Sequence, residues 1–229
     1  MIGELAVLIL LGFSLGLIHA FDADHVMAVS VLSNTRPGLR KTLRHCAHWA
    51  LGHGFILISA GLLLFGLGIA IPESLVWLAE VSVGVFLIGM GLFCFWRFRR
   101  ERIVLVEHQH GDVTHRHWQI EGDQTHARAS ASDRSGHAPV LVGMLHGFAG
   151  SAPALALVPV VAQGQVAAAM AYLVLFSIGV MLAMLVFGLG FSTAQRFLGQ
   201  HSVVMMNRAR HLVAFMSVAI GGFWLSQAL

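Results

Sequence analysis

Six apolar runs, near residues 4–32, 46–70, 75–96, 140–162, 165–191 and 203–228, constrain this chain more than anything else in it. Each reaches the length of about 20 residues that an α-helix needs to cross roughly 30 Å of hydrocarbon at 1.5 Å per residue. With 57% hydrophobic and 11% charged residues among 229, and a mean hydropathy of +0.77, the apolar surface exceeds what a water-soluble domain can hide. The expected fold class is therefore all-α: a polytopic membrane protein with six transmembrane helices. The first residues, MIGELAVLIL, contain Glu4 and no Lys or Arg, so they read as the start of a retained span rather than a cleaved leader. Cys46 and Cys94 are far apart and form no C-x-x-C, which gives no sign of thiol–disulfide chemistry.

Basic residues set the orientation. Arg36, Arg40, Lys41 and Arg44 fall between the first and second runs; Arg97, Arg99, Arg100, Arg102, Arg116, Arg128 and Arg134 between the third and fourth; Arg196, Arg208 and Arg210 between the fifth run and the apolar body of the sixth. These are all 14 Lys and Arg of the chain, and they occupy alternate connections. The three basic loops are expected in the cytoplasm and both termini outside. The net charge of +3 is then a topology signal and calls for no nucleic-acid partner.

The expected organisation is a first three-helix membrane unit at 1–96, a His-rich cytoplasmic loop at 97–139 and a second three-helix unit at 140–229. The loop, polar and charged, is too long for a tight connection, with some local structure expected around IVLVEH. It holds His108, His110, His115, His117, His126 and His137 beside Glu107, Asp112 and Asp123. Shifting the chain by 127 residues sets LIHAFDADHVMAV on MLHGFAGSAPALA, aligning His19 with His146, Phe21 with Phe148 and Gly52 with Gly179. Two units of three crossings must have opposite orientations, so the expectation is a 3+3 inverted repeat with its substrate site near the midplane.

The sharpest polar feature is HAFDADHV in the first run, which sinks His19, Asp22, Asp24 and His25 into oil. A carboxylate at the bilayer centre costs about 2.5 to 3.5 kcal/mol on insertion scales, so something must neutralise the pair. No Lys or Arg lies within a span, which leaves protons, the neighbouring histidines or a bound cation. On a straight helix His25 falls about 240° around from His19, so the four cannot aim at one point unless the backbone unwinds locally. Imidazole with carboxylate suits a late first-row divalent ion such as nickel, cobalt, zinc or iron. Further candidates are His48 and His53 in HWALGHGF, and His146 in MLHGFAGSAP at the position related to His19. Gly52, Gly54, Gly147, Ala149, Gly150 and Ser151 would allow these helices a close approach.

The residues also resemble a known family. His19, four residues, then Asp24-His25 match the H-x4-D-H signature of the nickel/cobalt transporters, and LGLIHAFDADHVMAV is similar to that family's signature helix along its length. LGHGF resembles the family's next helix, which carries a histidine. The family's familiar permeases have eight helices with this signature in the second, whereas here it lies in the first. LHGFAGSAPAL stands where those permeases carry an acidic F-D-T-A-T-E-type motif, and is more similar to the six-helix, urease-accessory-type branch. The resemblance implies metal binding by His19, Asp24 and His25, with Asp22, His53 and His146 as further ligands.

These observations lead to the expectation of a nickel permease, with cobalt as a second cargo, in the bacterial cytoplasmic membrane. Uptake is the expected direction, no resident cofactor is implied, and a cytoplasmic metallochaperone is the protein partner such a loop would meet. No G-x-x-x-x-G-K-[ST] motif is present, so ion gradients or membrane potential would supply the energy. The rival readings are an exporter of the same ions, a membrane metal sensor or chaperone, and an intramembrane serine protease built on Ser151. AGSA is not G-x-S-G and H-E-x-x-H is absent, which weighs against the protease.

Overall fold

A computed structural model describes residues 2–34, 38–100, 103–110, 113–120, 137–149 and 165–229. Helix α1, Ile2–His19, and helix α2, Ala23–Asn34, form one broken element bent by 57°. Helix α3, Leu39–Gly61, widens into a π-helical turn at Leu62–Gly66. It stops near Gly68, whose φ of +67° is one that a residue without Cβ accepts freely. Helix α4, Glu73–Arg100, follows, then strands β1, Ile103–His110, and β2, Val113–Ile120. Helices α5, Ala138–Ala149, α6, Val166–His201, and α7, Val203–Ala228, complete the chain, and Ser202 caps α7 by accepting a hydrogen bond from the Met205 N–H.

Among the described residues, four helices are long and apolar enough to span a membrane, and the bent α1–α2 pair makes a fifth if it is one span. The expected fourth run is represented by the short apolar α5, and residues 150–162 of it lie outside the described residues. The membrane part is helical as expected. Residues 103–120 depart from the all-α reading: two strands pair antiparallel there, extending the local structure expected at IVLVEH into a hairpin. Composition favours the strands, since Ile103, Val104, Val106, Val113, Thr114, Trp118 and Ile120 are residues of high strand propensity.

The exposed faces of the helices are apolar, as lipid contact requires. On α4, Trp77 and Trp96 are both half exposed and stand 19 residues apart, a rise of about 28 Å that places one ring at each edge of a hydrocarbon core. Arg97, Arg99 and Arg100 follow immediately, and the Arg100 guanidinium lies 4.3 Å over the Trp96 ring.

Glycines let the helices meet at backbone distance, and the meetings recur. A Cβ on Gly16 of α1 would collide with the backbone of Phe176 in α6; one on Gly143 of α5 would collide with the backbone of Trp49 in α3. Gly143 and Phe176 stand 127 residues after Gly16 and Trp49. The same offset relates Gly52, set against Val140 and Met144, to Gly179, set against Phe13 and Leu17. The α1–α6 and α3–α5 contacts are therefore made by equivalent residues. Gly12 meets Tyr172 and Gly16 meets Phe176, so α1 and α6 run in one direction; Trp49 meets Gly143 and His53 meets Gly147, so α3 and α5 do too. Helices α4 and α7 are antiparallel: Trp77 Nε1 donates to the Ala228 carbonyl at 2.7 Å and Ser217 Oγ to the Leu87 carbonyl at 2.8 Å.

Candidate metal centre

The break between α1 and α2 makes the site. After His19 the backbone tightens into short turns, with Phe21 N–H donating to the Ile18 carbonyl and Asp22 N–H to the His19 carbonyl, each at 3.0 Å. The Asp22 carbonyl then accepts from Val26 N–H, so Asp22 is the N-cap of α2, a position Asp favours. Asp24 falls in the first turn of α2, where the unpaired N–H groups of a helix start favour negative charge. The bend undoes the angular mismatch of the straight helix, and the rings of His19 and His25 come to 4.6 Å between centroids.

Two other elements complete the cluster. His53 of α3 lies 5.5 Å from the His19 ring and 5.2 Å from that of His25; His146 of α5 lies 5.8 Å from His25. His25, His53 and His146 are fully buried and Asp24 is 3% exposed, while about half of the Asp22 side chain is open. Two sets of donors have ligand atoms within 4.8 Å of one another: His19, His25 and His53, and Asp22, Asp24 and His25. Donors that share an ion at 2.0–2.2 Å stand no more than about 4 Å apart, so each set needs only a small contraction to close on one.

The nitrogens are committed in a consistent way. His19 Nδ1 pairs with Asp22 Oδ2 at 2.8 Å, His25 Nδ1 with the His19 carbonyl at 3.2 Å, and His146 Nδ1 with the Val142 carbonyl at 2.8 Å. A carboxylate or carbonyl on Nδ1 selects the Nδ1–H tautomer and leaves the Nε2 lone pair directed elsewhere, the arrangement typical of metal-binding imidazoles. Nε2 of His19, His25 and His146, with both ring nitrogens of His53, is buried without a hydrogen-bond partner among the described residues. Each such group costs about 1–3 kcal/mol when left unpaired, a cost that a soft-to-borderline cation offsets through coordination. Asp24 Oδ2 stands 3.7 Å from His25 Nε2, too far for a hydrogen bond and near enough to share a ligand.

All six candidates from the sequence thus lie in one region, with His146 at its margin and Asp22 at its opening. His48 is partly buried on α3 and belongs to neither donor set. Gly150, Ser151 and His126 lie outside the described residues. Sequence reasoning passed over Trp49, which is fully buried with its ring 4.9 Å from His25, 5.2 Å from His53 and 5.8 Å from His146. It also passed over Phe176, 5.2 Å from His19. The available signal was helical spacing: Trp49 precedes His53 by four residues, so the two share a face of α3. These rings wall the nitrogens off from lipid and from neighbouring helices.

The family described as NicO, high-affinity nickel-transport protein, matches residues 5–184, which takes in the bent helix, α3, α4, α5 and part of α6. The chain belongs to the NicO family. It is similar to the urease accessory protein UreH of Bacillus sp. (strain TB-90), at 25% identity over 222 residues, covering 95% of this chain and 90% of that one. No solved structure matches the chain. As a NicO member the protein is a transmembrane nickel-transport protein and not an enzyme, which removes the protease reading built on Ser151.

Proposed function

We propose that the protein is a secondary permease that carries nickel, with cobalt as a second cargo, into the cytoplasm of a bacterium. The ion would be held by His19, Asp24 and His25, with Asp22, His53 and His146 assisting. The observation that carries this reading is the nitrogen pattern: ligand atoms of His19, His25 and His53 lie within 4.8 Å of one another, and His19 and His25 keep a buried Nε2 over while their Nδ1 atoms are engaged. His25 belongs to both donor sets. An ion received at half-open Asp22 passes to the buried triad without leaving His25, exchanging oxygen ligands for nitrogen ones as it loses water. No single position need bind so tightly that release becomes slow.

Six crossings with both termini outside fit the packing directions. If α2 and α3 cross in opposite senses, α5 runs with α3 and α6 with α1, and α7 opposes α4, as alternating spans require. The contacts repeated at an offset of 127 residues support an inverted repeat, and rocking of one unit against the other would alternate access to the shared site. Similarity to a protein named as a urease accessory factor favours delivery inward, to a nickel enzyme such as urease.

The test is radioactive nickel flux in proteoliposomes under imposed pH and voltage gradients, for the native chain, Asp24→Asn and His25→Ala. Inward flux that drops at least about tenfold in both variants is expected, since these are direct ligands and even indirect changes cost that much. Equal flux in all three removes the site assignment. Flux that runs only outward makes the protein an exporter, and saturable binding without flux makes it a sensor or chaperone.

A further inference from the structure

Two of the aromatic rings around the metal centre form a pair. Phe176 stands 127 residues after Trp49, the offset that relates the glycine contacts, and the two occupy the same place in those contacts: backbone of Trp49 fills the space beside Gly143, and backbone of Phe176 the space beside Gly16. Each lies ten residues after the start of its helix, at Leu39 in α3 and at Val166 in α6. These helices are antiparallel, because Gly54 packs on Ser177 while Gly188 packs on Cys46 and Thr42. Phe176 is therefore level with Phe55, and Trp49 lies about 9 Å away along the axis with His53 between the two levels. Both side chains are buried, and both rings lie against histidines. Trp49 stacks on His53 at 5.2 Å and meets His25 at 4.9 Å; Phe176 meets His19 at 5.2 Å. Three residues beyond each ring, toward the start of its helix, a matched contact shuts the seam between α3 and α6: Cys46 on Gly188 at one end and Leu173 on Gly61 at the other, again related by 127 residues.

We propose that Trp49 and Phe176 are the two gates of the metal site, each closing it toward a different face of the membrane. The proposal rests on the permease reading above and says where its alternation takes effect: one ring leaves the histidines while its counterpart stays seated. Trp49 Nε1 is buried without a hydrogen-bond partner among the described residues, so packing holds the indole and its departure breaks no directional bond. Phe176 has no polar group to release. With both rings seated the triad of His19, His25 and His53 is covered from each end of the bundle, while Asp22 stays half open. An ion can then wait at the acid while the triad is shut. The face each ring guards follows the proposed topology: Trp49, on the half of α3 next to the first basic loop, faces the cytoplasm, and Phe176 the outside.

A thiol placed between the rings tests this. His53→Cys, made as the single cysteine with Cys46→Ser and Cys94→Ser, is treated with a membrane-impermeant methanethiosulfonate in right-side-out and in inverted membrane vesicles. Trp49→Leu should speed modification from one face at least about tenfold, the effect of making a local opening about 1.4 kcal/mol easier, and leave the rate from the other face unchanged. Phe176→Leu should do the same from the opposite face only. Trp49→Phe keeps a ring and should bring the rate back toward that of the parent. In each leucine variant the unchanged face reports an intact bundle. Acceleration from the same face in both variants, from both faces in either, or from neither overturns the proposal and leaves the rings as packing. Nickel flux through the native chain judges the permease reading separately, so the failure of one is not mistaken for the failure of the other.

Discussion

At single residues the chemistry turns on which nitrogen each histidine has left over. Asp22 does more than receive the ion: its carboxylate holds His19 Nδ1 at 2.8 Å and so leaves Nε2 over. Asp22→Asn should weaken nickel affinity about 10- to 100-fold, and the losses of Asp22→Asn and His19→Ala should be less than additive in the double variant. Calorimetric titration of the two single variants and the double variant checks this, and fully additive losses would leave Asp22 only its part in receiving the ion. The motif residues were legible in the sequence because acids in oil need an explanation. Trp49 was not, because a tryptophan in a membrane helix is ordinary until its neighbours are known.

Among elements, the broken first span and the glycine contacts carry the architecture. The break was foreseeable from the 240° between His19 and His25, although its 57° angle was not, since angle depends on what α2 packs against. Gly16→Leu and Gly143→Leu should each destabilise the folded protein by about 1–3 kcal/mol or more, because backbone fills the space a side chain would need. Gly89→Leu, where nothing lies within 4 Å, should be close to neutral. Thermal denaturation of the purified variants in one detergent checks the ordering; equal losses at all three positions would mean that helix propensity, and not contact, sets the effect. That Gly16 and Gly143 are counterparts was visible as a numerical offset. That they make matching contacts was not, because which helices pack together is decided by residues far apart in the chain.

For the whole molecule, the bilayer and the arrangement of basic loops decide orientation. Cys46 and Cys94 are buried, so native thiols give little background for labelling. A membrane-impermeant maleimide on intact cells should modify Gln165→Cys, at the start of α6, and spare Ser135→Cys, which should react only after the membrane is opened. The reverse pattern would turn the protein over and put the hairpin outside, and reaction of both in intact cells would refute an odd number of crossings between them.

Hydropathy alone specified a helical membrane protein, because water and lipid act on every residue whatever its neighbours. Six residues of the metal region could be named on the same grounds. Packing alone brings α3 and α5 up to the broken helix and places Trp49 among the histidines. Those outcomes depend on contacts between residues far apart in the chain, whose energies a local pattern of polarity does not encode.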